Sequence, residues 1–321
     1  MFVRSFTFFV FLAIAGFSLP AAAVAPFVEG RWLEKHLNDA RLAIVDMSDE
    51  GQYQRFHLPG AIRLPYQALV KRRLIAATDE KTKNGAGKMK SASTAAPVDK
   101  PAIPVRLDNA ELAKLLGQLG ITRDKYVVIY DDVGGLNAGR LFWELERIGH
   151  PKVSVLEGGL VKWILEGRKV VNNAPLPRPT AYTLGEGGRD NEAQIDDVQR
   201  AAATRDALLL DVRTPEEYLG APNKPRTGHV VGAQFWPWEQ ALNIPKGFTR
   251  ADESALRQSL ARVGVRERER PVILYCQSGH RAAQTYLTLR SLGFDNVRLY
   301  ANSMNEYALL PDRPLKQGAK P

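Results

Sequence analysis

The 321-residue sequence is nearly devoid of cysteine, and Cys276 is the only one. A chain with one cysteine cannot form an internal disulfide, so no disulfide framework supports this fold. The thiol is therefore either an incidental core residue or a reactive group. Cys276 is followed by Gln-Ser-Gly-His-Arg, which places a glycine and cations beside it, whereas a structural cysteine usually lies inside a helix or strand. These surroundings favour a reactive thiol.

Patterns that would hold a metal ion or a nucleotide are also missing. The five histidines form no cluster with metal-ligand spacing, and the sequence has no Gly-x-x-x-x-Gly-Lys loop. We therefore expect neither a metal site nor a cofactor. His57 and His229 stand before similar turns in two parts of the chain, which favours a structural role for both.

A long apolar run is absent as well. Arg4 is followed by a short apolar stretch, Phe6 to Phe17, and then by the small residues Ala21 to Ala23. A membrane-spanning helix needs about 20 apolar residues, whereas this pattern is typical of a signal peptide. We predict a signal peptide at residues 1–23 with cleavage before Val24. The mature protein is then expected in the periplasm or outside the cell, not embedded in a membrane.

The charge balance is positive, with a formal net charge of +9 at pH 7. A basic protein can bind nucleic acid, but here the basic residues are dispersed, and an exported protein rarely meets nucleic acid. Positive potential also attracts small anions. The charge therefore favours a small anionic substrate and no nucleic-acid partner.

The segment around Cys276 is predicted as a strand, a tight loop and a helix. The apolar run Val272 to Tyr275 is typical of a buried strand, and a helical pattern of apolar residues begins near Arg281. This geometry directs backbone N–H groups and the positive end of the helix toward the loop. Those groups, with Arg281 and a protonated His280, favour the thiolate of Cys276. The predicted substrate-binding residues are Gln277, Ser278, Gly279, His280 and Arg281.

This loop resembles the active-site loop of the rhodaneses, which are sulfurtransferases that carry sulfur as a cysteine persulfide. Related phosphatases use a longer loop that is wide enough for a phosphate. Here only residues 277 to 280 separate Cys276 from Arg281, which suits a single sulfur atom. The spacing favours sulfur transfer, and a phosphatase or arsenate reductase is the weaker alternative.

The rest of the chain alternates predicted strands, among them Leu42 to Asp46 and Tyr126 to Tyr130, with predicted helices. This is an α/β pattern, and its second half repeats the first. Leu208 to Asp211 echoes Ala43 to Asp46, and Val272 to Cys276 aligns with Val127 to Asp131. Matching segments at a long period indicate a tandem duplication.

The resemblance to tandem rhodaneses covers nearly the whole mature chain. It implies two α/β domains, each a mostly parallel sheet flanked by helices. The polar stretch at about 73–106 is predicted to be a mobile insertion in the first of them. The predicted boundaries are a signal peptide at 1–23, an N-terminal domain at 24–170, a linker at 171–188 and a C-terminal catalytic domain at 189–321.

Asp131 stands in the first domain where Cys276 stands in the second. A carboxylate cannot form a persulfide, so we expect the first domain to be catalytically inactive. Its expected role is to cover the active-site loop and to close a cleft at the domain interface.

Arg213 is a further candidate, because Asp211-Val212-Arg213 resembles the family's Asp-x-Arg, whose arginine can bind an anionic donor. The alternative is a structural salt bridge. Tandem thiosulfate-type enzymes often have an arginine at the position of Glu217, which we expect near Arg213 and unfavourable for thiosulfate. Residues 300–304 resemble the family's Tyr-x-Gly-Ser-Trp segment, but they have Asn302 in place of the glycine and Met304 in place of the tryptophan.

The reaction that the resemblance implies moves sulfane sulfur from a small anionic donor, such as thiosulfate, to cyanide or a thiol. Cys276 would carry the sulfur as a persulfide, so no cofactor is needed. The choice between thiosulfate and 3-mercaptopyruvate stays open. A non-enzymatic module that delivers sulfur between proteins is the alternative, and a monomer is expected.

Overall fold

The structure is a computed structural model that describes residues 24–74 and 102–321. The predicted signal peptide and most of the predicted insertion, residues 75–101, lie outside the described residues. Within the two described ranges, no helix has both the length and the apolar character needed to cross a membrane.

The first domain is built on a five-stranded sheet in which every neighbouring pair is parallel. Its two central strands, at residues 42–46 and 126–130, are apolar and buried, as expected for a sheet covered by helices on both faces. Both strands match the sequence-based boundaries. The elements are β1 (Phe27–Val28), α1 (Gly30–His36), β2 (Leu42–Asp46), α2 (Glu50–Arg55), β3 (Ile62–Arg63), β4 (Val70–Leu74), β5 (Ala102–Arg106), α3 (Asn109–Gln118), β6 (Tyr126–Tyr130), α4 (Leu136–Arg147), β7 (Val153–Leu156) and α5 (Gly159–Leu165). The strand order of the sheet is β1-β7-β6-β2-β3.

The second domain repeats this plan with a four-stranded parallel sheet and shorter accessory strands. Its elements are α6 (Ile195–Thr204), β8 (Leu208–Asp211), α7 (Pro215–Leu219), β9 (His229–Val230), β10 (Gln234–Phe235), β11 (Leu242–Asn243), β12 (Thr249–Arg250), α8 (Glu253–Arg262), β13 (Val272–Tyr275), α9 (His280–Ser291), β14 (Val297–Leu299), α10 (Ser303–Tyr307) and β15 (Leu315–Lys316). The strand order of the sheet is β10-β8-β13-β14.

The predicted duplication is visible in the pairing register. Asp46 at the end of β2 lies opposite Tyr130 at the end of β6, and Asp211 at the end of β8 lies opposite Tyr275 at the end of β13. The residues that follow Tyr130 and Tyr275 are Asp131 and Cys276. Both loops therefore leave their sheets at the same carboxyl edge, where parallel α/β sheets place their functional sites.

The prediction of a mobile insertion over residues 73–106 is wrong at both ends. Residues 70–74 (β4) pair in antiparallel register with residues 102–106 (β5). Ile103 and Val105 are buried on one face of this hairpin, as the alternation of a half-buried strand requires. The polar composition of the whole stretch hid this short alternating segment.

The two domains meet where α4 packs along α9. Gly139 makes this approach possible, because a Cβ there would lie 2.9 Å from the carbonyl oxygen of Ala283 and 3.0 Å from the Cα of Gln284. One cluster of buried apolar residues runs continuously through this contact from the first domain into the second. Since α4 and α9 each follow one of the two loops, their contact brings both loops to the domain interface.

The predicted linker, residues 171–188, contains no helix or strand beyond a single bridge between Val171 and His57. It packs on the first domain, and the Thr180 N–H donates to the Gly117 carbonyl at 2.9 Å. The last helix of the first domain, α5, ends before this segment, and the first helix of the second domain, α6, begins after it.

Candidate active site

The Cys276 loop, residues 276–279, joins β13 to α9. Gly279 is the N-cap of α9 and adopts φ +75°, a left-handed conformation that glycine reaches without strain. A Cβ at Gly279 would lie 2.4 Å from the carbonyl oxygen of Ala301, so a side chain would collide with the backbone. The predicted strand, loop and helix are thus present, with Cys276 buried between them.

The segment around α10 holds the backbone of the Cys276 loop. The Cys276 N–H donates to Ser303 Oγ at 3.0 Å, and its carbonyl accepts from the Met304 N–H at 3.2 Å. The carbonyl of Gln277 accepts from the Asn305 N–H at 2.9 Å. Ser303 was not predicted as a site residue, although it lies in the segment that resembles the family's C-terminal pattern.

The corresponding loop of the first domain, residues 131–135 (the Asp131 loop), shows what its backbone binds. The buried Asp131 carboxylate accepts four hydrogen bonds from backbone N–H groups: Val133 at 3.1 Å, Gly135 at 2.8 Å, Asn137 at 2.8 Å and Ala138 at 2.9 Å. Burial raises the pKa of Asp131, and the four N–H groups oppose that rise. The loop and the first turn of its helix therefore form a cradle for an anion.

The same cradle can be traced in the second domain from the helix caps. Gly135 caps α4 as Gly279 caps α9, both in the left-handed conformation. Counted from these glycines, the N–H groups of Arg281 and Ala282 correspond to two of the donors to Asp131. Within residues 24–74 and 102–321, neither N–H has a hydrogen-bond acceptor of its own. Cys276, whose thiol takes the place of the carboxylate, thus faces donors that remain available to an anion.

His280, the first residue of α9, is held by the first domain. Its Nε2 lies 2.7 Å from Asn137 Oδ1, and Asn137 Nδ2 donates to the carbonyl of Met47, so His280 Nε2 carries the proton. Burial lowers the pKa of His280 to about 4, assisted by the positive charges of Arg140 and Arg281. The expectation that a protonated His280 favours the thiolate therefore does not hold at neutral pH, where this ring is uncharged.

Arg281 reaches across the loop mouth to Glu217 of α7 in a bidentate pair, with N–O distances of 2.6 and 2.9 Å. The two side chains are 21% and 30% exposed. Burial disfavours the charged form of Glu217, but the hydrogen bonds from Arg281 and from the Thr214 N–H outweigh it and lower the pKa of Glu217. The cation of the loop is thus paired with a carboxylate, and Glu217 engages Arg281 instead of the expected Arg213.

Arg213 lies at the end of β8 with only 4% of its side chain exposed. Its Nη2 and Nε contact the Asp211 carboxylate at 2.6 and 2.9 Å, and Nη2 also donates to the carbonyl of Gly228 at 2.7 Å. These contacts match the structural salt bridge that was the alternative interpretation. Only Nη1 has no partner within the described part of the chain, so donor binding by Arg213 stays a prediction that this geometry disfavours.

Two other histidines have clear structural contacts. His57 stacks on Tyr53 and His229 stacks on Tyr218, with ring centroids 4.0 and 3.8 Å apart. In each pair, Nδ1 of the histidine lies 2.8 Å from the carbonyl of the stacked tyrosine. The repeated geometry agrees with the structural role predicted for both.

The two loops differ in their surroundings. A groove of about 430 Å³ lies beside the Cys276 loop, lined by Gln277 and by charged residues of both signs, which suits a small ligand. The space next to the Asp131 loop is only about 10 Å³ and is covered by Leu242 and Phe248 of the second domain. In the described ranges, no group of three His, Cys, Asp or Glu side chains is placed to hold a metal ion.

Comparison with known proteins finds the same duplicated architecture and identifies its family. The family model for the rhodanese-like domain matches residues 29–166 and 194–309. A thiosulfate sulfurtransferase of Pseudomonas aeruginosa is 30% identical over 293 residues, covering 90% of this chain and 96% of its own. The sulfur carrier protein TtuD of Thermus thermophilus is 27% identical over 301 residues, covering 89% and 95%.

Among solved structures, SseA from Escherichia coli, described as a 3-mercaptopyruvate sulfotransferase with the rhodanese fold, superposes with a TM-score of 0.67. It covers 87% of this chain and 99% of its own, with 24% sequence identity, which supports the fold. Three findings indicate the same family. They are the two matches to the family model, the duplicated parallel α/β architecture, and the cysteine in a loop that corresponds to an anion-binding loop. The chain therefore belongs to the rhodanese family, with two tandem domains and its cysteine in the second.

Proposed function

We propose that this protein is a sulfurtransferase that carries sulfane sulfur as a persulfide on Cys276. The observation that carries the proposal is the Asp131 loop, whose four inward N–H groups bind a carboxylate at the position that corresponds to Cys276. A terminal persulfide sulfur is also an anion of limited size, and preorganised N–H donors stabilise such charge. The sulfurtransferase relatives support the same reaction.

The reaction has two half-reactions. In the first, the Cys276 thiolate attacks the outer sulfur of thiosulfate, the S–S bond breaks, and its electron pair leaves with sulfite. Cys276 then carries one additional sulfur, whose negative charge faces the N–H groups of the loop. In the second, cyanide or a thiolate attacks this terminal sulfur, and the Cys276 thiolate is regenerated.

The charges around the loop favour a singly charged donor over thiosulfate. Arg281 is paired with Glu217 and Arg213 is paired with Asp211, so both arginines that face the site are neutralised within the chain. A dianion such as thiosulfate then meets the Glu217 carboxylate at the loop mouth, and the repulsion is smaller for a monoanion such as 3-mercaptopyruvate. We therefore place 3-mercaptopyruvate-type or other singly charged donors first.

Replacement of the thiol tests the proposal. Cys276→Ser should abolish sulfur transfer and leave the melting temperature close to that of the wild type, because serine preserves the loop and forms no persulfide. Mass spectrometry of the wild type after donor treatment should show one added sulfur on the peptide containing Cys276, and cyanide should remove it. Transfer activity in the serine variant would contradict the assignment.

A second candidate is sulfur delivery between proteins with little turnover of small molecules. One observation favours it: TtuD, which is similar to this chain over nearly its full length, is a sulfur carrier protein. Loading rates measured with thiosulfate, 3-mercaptopyruvate and a persulfidated protein separate the two functions. A protein donor that loads Cys276 much faster than either small donor would favour delivery.

The N-terminal pattern supports the further proposal that the protein is exported. When the full chain is expressed in Escherichia coli, N-terminal sequencing of the periplasmic protein should begin at Val24. Recovery of the chain in the cytoplasm with Met1 retained would contradict export.

A further inference from the structure

One first-domain side chain reaches the active-site loop of the second domain. Tyr66 begins a short 3-10 helix, Tyr66–Leu69, directly after Pro65. Its ring stacks on His280 with a centroid distance of 4.2 Å and an interplanar angle of 24°. Because His280 is also hydrogen-bonded to Asn137, the Tyr66 ring has a fixed seat beside the Cys276 loop.

The hydroxyl of Tyr66 is buried and has no hydrogen-bond partner of ordinary geometry within the described residues. Burial raises the pKa of Tyr66, so the hydroxyl stays protonated and can donate. The same pKa is raised by the charge of Cys276 and lowered by Arg140 and by the hydroxyl of Ser278. The stacking on His280, the residue that follows the Cys276 loop, places the Tyr66 side chain beside that loop, in agreement with these influences on its pKa.

Among the tyrosines of the described residues, only Tyr66 has a buried hydroxyl without a partner. The sequence has ten tyrosines, and in the structure each of the other nine hydroxyl groups makes a hydrogen bond. A buried polar group without a partner is rare in proteins and costs stability, so its position beside the Cys276 loop points to a ligand. The nine are Tyr53, Tyr126, Tyr130, Tyr182, Tyr218, Tyr275, Tyr286, Tyr300 and Tyr307.

We infer that Tyr66 is a catalytic residue contributed by the inactive domain, and that its hydroxyl donates a hydrogen bond to the leaving group of the sulfur donor. As the Cys276 thiolate forms its bond to the outer sulfur, the bond between that sulfur and the rest of the donor breaks. The electron pair of the broken bond develops as negative charge on the leaving group. A preorganised donor stabilises that charge without transferring a proton.

The inference rests on the proposed sulfur transfer and extends it. It also explains why the inactive domain bears on catalysis, since Tyr66 and Asn137 come from it while Cys276 and His280 come from the other domain. Trp238 begins the corresponding 3-10 helix of the second domain, after Pro237. Tryptophan carries no hydroxyl, as expected if only the Cys276 loop binds a reacting ligand.

Tyr66→Phe tests the role because it keeps the stacked ring and removes only the hydroxyl. The rate of persulfide formation on Cys276, measured with thiosulfate and with 3-mercaptopyruvate, should fall about 10- to 100-fold. The rate at which cyanide removes the sulfur should change by less than about threefold, because that step expels the Cys276 thiolate and not the donor's leaving group. The melting temperature should be unchanged or higher, since a buried hydroxyl without a partner is removed.

Tyr182→Phe is the matched control. Its hydroxyl hydrogen-bonds to His150 Nδ1 at 2.9 Å, away from the Cys276 loop, so its loss should lower the melting temperature and leave persulfide formation unchanged. Wild-type rates of persulfide formation in Tyr66→Phe would overturn the inference while leaving the proposed function intact. If Tyr66→Phe lowers the melting temperature and slows both half-reactions equally, Tyr66 has a structural role, and the inference is overturned as well. If the wild type accepts sulfur from no donor, the proposed function itself fails.

Discussion

Glu217→Gln should make the protein a better thiosulfate enzyme. In the structure Glu217 holds Arg281 by two hydrogen bonds at the mouth of the Cys276 loop, and its lowered pKa keeps it ionised at neutral pH. Glutamine retains an oxygen that can accept from the Thr214 N–H, as Glu217 does at 3.1 Å, so the start of α7 is preserved. The substitution removes one negative charge and frees a guanidinium for the donor.

The size of the effect follows from the exposure of the pair. Two unit charges about 4 Å apart interact by about 1 kcal/mol in bulk water and about 4 kcal/mol near a protein surface. The side chains of Glu217 and Arg281 are 30% and 21% exposed, and screening reduces the effect further. We expect about 1–2 kcal/mol for dianionic thiosulfate, or about a 5- to 30-fold rise in kcat/KM.

The assay compares two donors that lose the same kind of S–S bond but differ in charge. Benzenethiosulfonate is a monoanion, so its gain in kcat/KM should be about half as large in free energy, about 2- to 5-fold. Both gains should shrink at high salt. Glu216→Gln is the matched control, because it removes the same charge at the neighbouring position. Within the described ranges Glu216 forms no ion pair, whereas Glu217 pairs with Arg281.

Unchanged thiosulfate kinetics, or an equal gain in kcat/KM with the two donors, would refute this prediction. In the first case Arg281 does not limit donor binding, and the anion is held by the loop N–H groups alone. In the second case the substitution acts on the loop conformation and not through charge. An equal gain in Glu216→Gln would show that net charge, and not the pair with Arg281, is responsible.

Three further outcomes are expected. Arg213→Ala should lower the free energy of unfolding by about 3–5 kcal/mol in denaturant titrations, because it leaves the buried Asp211 carboxylate unpaired, and adding Asp211→Asn should recover part of the loss. Asp131→Cys in the Cys276→Ser background should gain no persulfide by mass spectrometry, since only about 10 Å³ of space adjoins position 131, where Leu242 and Phe248 of the second domain cover it, against about 430 Å³ beside the Cys276 loop. As the pH falls from 6.5 toward 4, stability should decrease, because the unfolded chain takes up protons that the buried His150, with a pKa lowered to about 4 by burial, does not accept. His150→Gln should reduce this acid loss by up to about 3 kcal/mol.

Much of the fold was predictable because it depends on local patterns. The strands Leu42–Asp46 and Tyr126–Tyr130 were predicted with their observed boundaries, since short apolar runs in an α/β chain bury on both faces. The hairpin β4–β5 was missed, because its alternating residues Ile103 and Val105 stand at the edge of a long polar stretch. A short strand that pairs only with its partner in a hairpin leaves a weak signal in composition.

Contacts between charged residues were less predictable. Glu217 and Arg213 are close in sequence and were expected to lie near each other, but each forms its ion pair with another residue. Arg213 points into the sheet edge toward Asp211, and Glu217 turns outward to Arg281. Which cation a carboxylate meets depends on side-chain direction at the end of a strand, and sequence spacing does not determine that direction.

The sequence by itself determined the duplication, and it predicted a reactive cysteine, an anion-binding loop and an inactive counterpart at Asp131. These follow from residue types at fixed spacing along one strand, one turn and one helix. Only the tertiary structure decided that His280 is uncharged, that Arg281 is paired and that Tyr66 reaches the loop. The surroundings of His280 and Tyr66 arise at the interface between the two domains, and the pair between Arg281 and Glu217 joins α9 to α7 within the second domain. Each depends on burial and distance between residues that are far apart in the chain.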